Sequence, residues 1–234
     1  MNPKSETFSF GNYSDEFDDH ISKSIRGYLE LRDDIVSMSR YFVENDTTVV
    51  DIGCSQGSLI RRILDKNNQA PRAKYVGIDV EASFQKHWHH DLPNLEYLIE
   101  DVRTWRGMKD MSLVVSLFTF QFIPERDRLA LFKKIYDNLI EGGAFIFSEK
   151  LFSTNSKVQN MMDSLYYDYK RSHFSEKHIL DKENELRHLA KLTNEDLLMQ
   201  QLASIGFDGV QVFWRNFNFV GVIAMKLPRA MQPA

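Results

Sequence analysis

The chain has 234 residues, which is enough for one domain of ordinary size and too few for two full ones. Hydrophobic residues make up 43% of it and charged residues 26%, and this balance excludes disordered, collagen-like and coiled-coil chains. The net charge of −4 gives no global positive field toward nucleic acid or an anionic membrane, so direct nucleic-acid binding and membrane attachment are not expected.

Cysteine content and hydropathy together indicate the cellular compartment in which the protein is expected. Cys54 is the single cysteine, so no disulfide can form within the chain, and a reducing intracellular environment is expected. The N-terminus is polar and lacks the apolar stretch of a signal peptide. No segment reaches the roughly 18 to 20 consecutive apolar residues that span a bilayer. We therefore expect a cytoplasmic protein.

The first two thirds of the chain alternate between helical and strand-like patterns. A loose arm is expected over residues 1 to about 12, and apolar residues at helical spacing over residues 21–42 predict one or two amphipathic helices. The runs that predict strands lie at residues 47–52, 74–79, 95–99, 111–117 and 144–149. The helices predicted between them cover residues 58–66, 81–90 and 126–140, with Gly142 and Gly143 ending the last one.

The last third has a different pattern. Residues 155–172 and 176–191 are charged helical stretches with no strand between them, which indicates a lid inserted into the sheet rather than another strand–helix unit. Thr193 and Asp196 are expected to form a capping box for a helix that ends at Gly206. Two strands at residues 210–215 and 218–225 follow, and the short turn between them requires an antiparallel hairpin.

This order of elements is similar to that of the class I methyltransferases. It predicts an α/β, Rossmann-like fold with a seven-stranded, mostly parallel sheet, right-handed crossovers and a C-terminal antiparallel hairpin. We expect a single domain over residues 1–234. Within it, residues 1–44 form the N-terminal arm and helices, and residues 151–191 form the helical lid.

The clearest site motif is Asp51-x-Gly53-x-x-x-Gly57, at the end of the first predicted strand. Gly53 permits a sharp turn there, and Gly57 permits close approach of a ligand or of the following helix. The dinucleotide fingerprint Gly-x-Gly-x-x-Gly does not fit, because Ser55 occupies its second glycine position. The motif instead resembles the first motif of S-adenosylmethionine-binding methyltransferases, in which Asp51 would orient groups near the amino-acid end of the ligand. Cys54 lies in this loop with no visible base beside it, so we interpret it as a small loop residue rather than a nucleophile.

Acidic residues also follow the next two strands. Asp79 closes the second strand, where a carboxylate can accept both ribose hydroxyls. Asp101 and Val102 follow the third strand and resemble the pair that brackets adenine, with Asp101 meeting the exocyclic amine and the Val102 backbone meeting the ring. Ligands of open α/β sheets bind at the carboxyl ends of strands. We assign Val80 and Phe118 to the same pocket.

Seven short segments carry a resemblance to one family. They lie at residues 16–21, 25–28, 51–55, 118–122, 148–150, 168–171 and 217–219. They are similar to carboxy-S-adenosylmethionine synthases, in register from about residue 16 to 226. The resemblance implies a homodimer that converts S-adenosylmethionine and prephenate into carboxy-S-adenosylmethionine, which a partner enzyme uses on the wobble uridine of tRNA. It also implies a ligand pocket lined by Tyr28, Gly53, Cys54, Ser55, Asp79, Asp101 and Val102.

Two positions depart from the family pattern. Leu117 stands where the family has an asparagine at the end of strand four, and leucine cannot hydrogen-bond a ligand. Glu183 aligns with the arginine that clasps the extra carboxylate, and a carboxylate facing a carboxylate is repulsive. Arg171 or Arg187 are the candidates to replace that arginine as substrate contacts.

Other polar clusters are given simpler interpretations. The histidines at 87, 89 and 90 are interpreted as an exposed helix end, so no metal site is expected. Lys170 and Arg171 are interpreted as part of a solvated helix face. The tyrosines at 166, 167 and 169 with Phe174 are expected either to stack on an aromatic substrate or to hold a dimer interface.

Three hypotheses remain open from the sequence. The first is a class I methyltransferase that uses S-adenosylmethionine on an unidentified acceptor, with no catalytic residue assigned and Glu149 as a substrate contact at the end of strand five. The second is carboxy-S-adenosylmethionine synthesis, and the third is a non-catalytic protein that retains the ligand site. Methyl transfer depends mainly on in-line positioning, so a dedicated base is not required.

Overall fold

One seven-stranded sheet organises the chain. The computed structural model describes residue 15 and residues 17–228, and the predicted arm over residues 1–12 lies outside them. The strands are β1 (Thr48–Ile52), β2 (Lys74–Asp79), β3 (Leu95–Ile99), β4 (Met111–Leu117), β5 (Leu139–Lys150), β6 (Asp208–Asn216) and β7 (Phe219–Met225). Their order across the sheet is β3-β2-β1-β4-β5-β7-β6.

The pairing of the strands confirms the predicted fold class. Strands β1 to β5 are mutually parallel, whereas β7 pairs antiparallel with both β5 and β6. The order reverses at β1, where the chain passes from the β2–β3 side to the β4 side. In open α/β sheets the ligand crevice lies at such a switch point, outside the carboxyl ends of the strands.

Seven α-helices accompany the sheet within the described residues. They are α1 (Phe17–Ser24), α2 (Tyr28–Met38), α3 (Ser58–Lys66), α4 (Glu125–Asn138), α5 (Ser156–Arg171), α6 (Glu176–Leu186) and α7 (Glu195–Ile205). Helices α5 and α6 form the predicted lid, with no strand between them. None of the helices in this part of the chain is both long and apolar enough to cross a membrane.

Three local predictions were wrong. The helix expected over residues 81–90 is a short 3-10 helix, Ala82–His87, started by the Glu81 side chain, which accepts from the Ser83 amide. The two glycines expected to end α4 lie inside β5, because that strand begins immediately after the helix. The N-cap of α7 is Asn194 rather than Thr193, and its side chain accepts from the Leu197 amide.

Two apolar layers hold the sheet between helices. Val49 and Val50 point to opposite faces, as the two-residue period of a strand requires, and they belong to different buried clusters. Helices α2 and α3 cover the first face, and α4 and α7 cover the second. On that second face, Phe132 of α4 stacks on Phe120 with their ring centroids 4.9 Å apart. Alternation of buried residues therefore gives each face of the sheet its own apolar layer.

Phe132→Ala should lower the free energy of unfolding by about 3–5 kcal/mol, because it leaves a cavity among stacked rings. Leu129→Ala, on the exposed face of the same helix, is the matched control, and it should change stability by no more than about 0.5 kcal/mol. Chemical denaturation followed by circular dichroism measures both. Equal losses in the two variants would contradict this account of the α4 face.

Candidate functional site

A cavity of about 640 Å³ lies at the carboxyl ends of the parallel strands, between the sheet and the lid. Its walls come from α1, from the loops after β1, β2, β3 and β4, from Lys150 and Phe219, and from α5, α6 and the segment after them. Pockets of roughly 300–1,000 Å³ hold ligands of nucleoside size. The fold thus brings residues distant in sequence into one pocket.

The loop after β1 turns against the segment after β4. Gly53 has a φ of +75°, and a Cβ atom there would lie 2.1 Å from Thr119 Oγ1. Gly57 has a φ of +78° and caps α3, and a Cβ atom there would lie 2.5 Å from the Tyr97 hydroxyl oxygen. Both glycines are therefore required by backbone conformation and by close approach.

Asp79 ties this loop to β2. The Ser55 amide donates to Asp79 Oδ2 at 2.9 Å, and the Glu81 amide donates to Oδ1 at 2.9 Å. Burial raises the pKa of the Asp79 carboxyl, while these backbone amides act in the opposite direction. Ser55 and Asp79 both line the cavity, as does the exposed Val80. The carboxylate is thus fixed in orientation at the cavity wall.

Asp101 has a partner that the sequence did not predict. Arg103 clasps both of its carboxylate oxygens, with Nη2 2.6 Å from Oδ2, and also reaches Asp127 at 2.7 Å. This guanidinium contact holds the pKa of Asp101 below its usual range. Asp101 and Val102 both line the cavity. A ligand amine there would meet a carboxylate whose two oxygens already accept hydrogen bonds from Arg103.

Phe118 is held in an unusual backbone conformation at the end of β4. Its φ is +55°, a region that bulky residues rarely adopt, and its ring packs edge-on against Phe219 at 5.6 Å. Both residues line the cavity, and so does Leu117. Tyr28 lies one layer behind, buried and 6.3 Å from the Phe118 ring, and it does not line the cavity.

Three other predicted residues of the loop also lie behind the cavity wall. Asp51, Cys54 and Gly57 are not part of the lining. Burial, followed by the neighbouring Asp79 charge, raises the pKa of Asp51 to about 8. Burial also raises the pKa of the Cys54 thiol, and a thiol that is not ionised is a poor nucleophile. These residues shape the loop from beneath.

The lid side of the cavity is basic. Lys150, Lys170, Lys182 and Arg187 line it together with one acidic lid residue, Glu183. Lys170 and Lys182 are buried, at 5% and 7% exposure, and burial lowers the pKa of each, that of Lys182 to about 8. The sheet side of the same cavity carries Asp79, Glu81, Glu100 and Asp101, together with Arg103, which is paired with Asp101 and Asp127. The cavity therefore has an acidic end at the strands and a basic end at the lid.

Of the three predicted substrate contacts, one lines the cavity and two do not. Arg187 lines the cavity. Arg171 does not, and instead pairs with Asp168 at 2.8 Å and Glu176 at 3.6 Å. Glu149 is buried behind the wall, and burial raises its pKa to about 7 while the nearby Arg128 opposes that rise. Glu149 does not line the cavity.

Two basic residues of the lid that line the cavity, Lys170 and Lys182, were not predicted as site residues. The prediction that Lys170 lies on a solvated helix face was wrong, because Lys170 and Tyr166 are the two buried residues of α5. Their spacing of four residues places them on the same face of the helix, and from this spacing the sequence could have indicated that both are buried. His20, Lys150 and Lys182 also line the cavity without having been predicted. No group of three or more metal-ligating side chains occurs in the part of the chain that the structure describes.

Comparison with known proteins finds relatives along nearly the whole chain. Residues 49–143 match the family described as a methyltransferase domain. A carboxy-S-adenosyl-L-methionine synthase from Actinobacillus succinogenes is 31% identical, over 92% of this chain and 91% of the relative. One from Staphylococcus epidermidis is 30% identical, over 96% of this chain and 99% of the relative.

A solved structure with a similar fold is human N-acetylserotonin methyltransferase in complex with S-adenosylmethionine. It has a TM-score of 0.58 and 16% identity, and the match covers 97% of this chain and 61% of that one. At this identity the likeness concerns the fold alone.

Gly53→Ala should abolish binding of a nucleoside-type ligand, because its methyl group would overlap Thr119. Gly142→Ala is the matched control: Gly142 has a φ of +84°, but no atom lies within 4 Å of an added Cβ. Both variants carry backbone strain of roughly 1–2 kcal/mol. Equilibrium binding with the ligand that co-purifies, alongside thermal unfolding, measures the two effects. If both variants bound the ligand equally well, the close approach of Gly53 to Thr119 would not be required for binding.

Proposed function

The chain belongs to the carboxy-S-adenosyl-L-methionine synthase family, and from this premise we propose that it transfers the methyl group of S-adenosylmethionine to an acceptor held under the lid. The observation that carries this proposal is the separation of charge across one cavity. Carboxylates at the strand ends face the part of the pocket where a cationic nucleoside would lie. The acceptor would occupy the opposite, basic end.

The residues at the strand ends suit S-adenosylmethionine. Asp79 keeps both oxygens oriented by backbone amides and has further lone pairs for ribose hydroxyls. Asp101 and Val102 would face the adenine, and Gly53 and Ser55, which also line the cavity, would face the amino-acid end. When bound, S-adenosylmethionine supplies an activated methyl group on a positively charged sulfur. The protein's part is to orient this group and exclude water.

The walls between the two ends are aromatic and apolar. Phe118, Tyr166 and Phe219 line the middle of the cavity, and Lys150 lies 4.7 Å from the Tyr166 ring centroid. Such walls exclude water and present a shaped surface to an acceptor. Alignment of two reactants in a near-attack geometry supplies much of the rate enhancement in reactions of this kind. The cavity supports that role without an assigned catalytic base.

Carboxy-S-adenosylmethionine synthesis is the second candidate, and the basic end of the cavity favours it. The expected repulsion at Glu183 is reduced, because the ammonium group of Lys170 lies near its carboxylate. Lys150, Lys170 and Lys182 would supply an anchor for a carboxylate in place of the family arginine. Leu117 counts against this reaction, because it presents an apolar side chain where the family has an asparagine.

The family resemblance also supports a cytoplasmic homodimer, which we include in the proposal. Size-exclusion chromatography with light scattering would test the dimer, and a monomer at micromolar concentration would contradict it. A non-catalytic role is the third candidate. Tight ligand binding without turnover on any acceptor would favour it.

Mass spectrometry of the nucleoside that co-purifies with the protein separates the first two candidates. S-adenosylmethionine or S-adenosylhomocysteine is expected if methyl transfer is the reaction. Carboxy-S-adenosylmethionine would instead support the second candidate and overturn the first. Addition of prephenate to protein loaded with S-adenosylmethionine, followed by the same measurement, tests the second candidate directly.

Asp79→Asn should weaken binding of S-adenosylmethionine by at least about tenfold, because charge-assisted hydrogen bonds are roughly twice as strong as neutral ones. The asparagine keeps the size of the side chain, but its NH2 group replaces one of the two oxygens that accept from the Ser55 and Glu81 amides, so thermal unfolding is measured beside the affinity. Asp65→Asn, on α3 and outside the cavity, is the control and should bind as the parent protein does. Isothermal titration calorimetry gives both affinities. Unchanged affinity in Asp79→Asn would remove this residue from the proposed site.

A further inference from the structure

Both stems of the lid meet one residue of the segment after β4. The lid leaves the sheet after Lys150, the last residue of β5, and its return stem passes through Lys191. The Gln121 side-chain Oε1 accepts from the Lys150 amide at 3.0 Å, and the Gln121 backbone carbonyl accepts from the Lys191 amide at 2.7 Å. Gln121 is buried and lines the cavity. One residue of the cavity wall therefore holds the two ends of the lid.

The two stems are also joined to each other. Leu151 and Thr193 form an isolated parallel bridge, and the Phe152 amide donates to the Thr193 carbonyl at 3.0 Å. We call residues 150–152 and 191–193 together the lid neck. Because its two strands of chain run side by side, a displacement of one stem is passed to the other.

A buried arginine of α4 supports the lid neck from beneath. Arg128 is 4% exposed, and its Nη2 donates to the Gln121 carbonyl at 3.1 Å and to the Lys191 carbonyl. Its Nε donates to the Ile123 carbonyl at 2.9 Å. The donors of a guanidinium point in fixed directions within one plane. These contacts therefore fix the return stem relative to the segment after β4.

We propose that Gln121 and Arg128 are positioning residues of the reaction, which set the place of the lid over the cavity by fixing the lid neck. The inference rests on the proposed function in one respect, namely that the reaction takes place in this cavity. It concerns residues to which neither the strand-end motifs nor the predicted substrate contacts assign a role.

The lid neck carries side chains of the cavity wall on both stems. Lys150 lines the cavity, with its ammonium group 4.7 Å from the Tyr166 ring centroid. Leu192 lines it from the return stem, and Arg187 lies four residues before Lys191 on the same wall. A misplacement of roughly 1 Å in a reacting pair can cost on the order of 100-fold in rate. A neck fixed by hydrogen bonds thus suits a site that works by orientation.

Direct contact of Gln121 with a ligand is the alternative role, and Arg128 separates the two. Arg128 does not line the cavity, so its influence on a ligand passes through the residues to which it donates. Positioning requires that Gln121 and Arg128 variants disturb the lid in the same way. Direct contact requires that the Gln121 variant alone weaken ligand binding.

The test is hydrogen exchange followed by mass spectrometry on the full chain saturated with S-adenosylhomocysteine. Gln121→Met removes the acceptor of the Lys150 amide, so amides of α5 and α6 should exchange at least about fivefold faster, while those of α3 stay unchanged. Gln121→Glu keeps a carboxyl oxygen as acceptor and should restore slow exchange. Gln200→Met, at an exposed glutamine of α7 outside the cavity, is the control and should exchange as the parent protein does.

A second pair of variants examines the arginine. Arg128→Met should give the same pattern of faster exchange in α5 and α6, and Arg126→Met, at an exposed arginine of the same helix, should not. The charge of Arg128 acts on the buried Glu149 carboxyl, which Arg128→Met leaves without this cation. The double variant Arg128→Met with Glu149→Gln removes both charges and gives the result if the single variant does not fold.

The possible results separate this inference from the proposed function. Calorimetry should show that Gln121→Met changes the affinity for S-adenosylhomocysteine less than twofold, because the contacts at the strand ends remain. Unchanged lid exchange, an equal rise in α3, or a tenfold loss of affinity in Gln121→Met alone would overturn the positioning role. Failure of the parent protein to bind S-adenosylhomocysteine or S-adenosylmethionine would instead overturn the proposed function, and lid exchange in the ligand-free variants would still decide whether these residues hold the lid.

Discussion

The Ser55 amide donates to the Asp79 carboxylate at 2.9 Å, and the ligand end of the site depends on this contact between the ends of two neighbouring strands. It holds the loop after β1 against β2, and Gly53 allows the same loop to touch Thr119 after β4. Three strand ends are therefore joined by one short loop. An added side chain at Gly53 or loss of the charge at Asp79 would disturb all three. The residues beneath the loop, such as Asp51, are buried and do not line the cavity.

Charge separation follows from which element contributes each wall. Parallel strands end at one edge of the sheet, and in this chain several of them are followed by carboxylates that face the cavity. The lid is inserted after β5 and covers that edge, and its inward face carries Lys170 and Lys182. Opposite charges on two facing walls orient a ligand pair of opposite charge. Burial in this wall lowers the pKa of both lysines, although Glu183 near Lys170 and Glu185 near Lys182 act in the opposite direction.

The sequence was sufficient to predict the sheet and insufficient to predict the lid wall. Strand bounds at residues 74–79, 95–99 and 111–117 agree with the structure, because a buried parallel strand is a short, continuous apolar run between turns. The strand-end residues Asp79, Asp101 and Val102 could be located because topology alone brings strand ends together. The orientation of a lid helix depends on packing between distant segments, so Lys170 was misplaced and His20 was not considered. Arg103 was missed for a related reason, since its clasp on Asp101 depends on loop conformation.

Glu183 shows how a single aligned residue can mislead when its surroundings are unknown. By alignment alone, a carboxylate at an arginine position reverses the charge of a subsite. In the structure its carboxylate lies near Tyr167 and Lys170, while Lys182 and Arg187 of the same lid also reach the cavity. The sign of a subsite is set by the sum of the charges that face it and by their burial, not by one position. With Glu183 in place of the arginine, the lid still has enough positive charge to hold an anion. What changes is the geometry in which the anion would be held. A planar, bidentate guanidinium is replaced by separate point charges, which discriminate less between a carboxylate and a tetrahedral oxyanion.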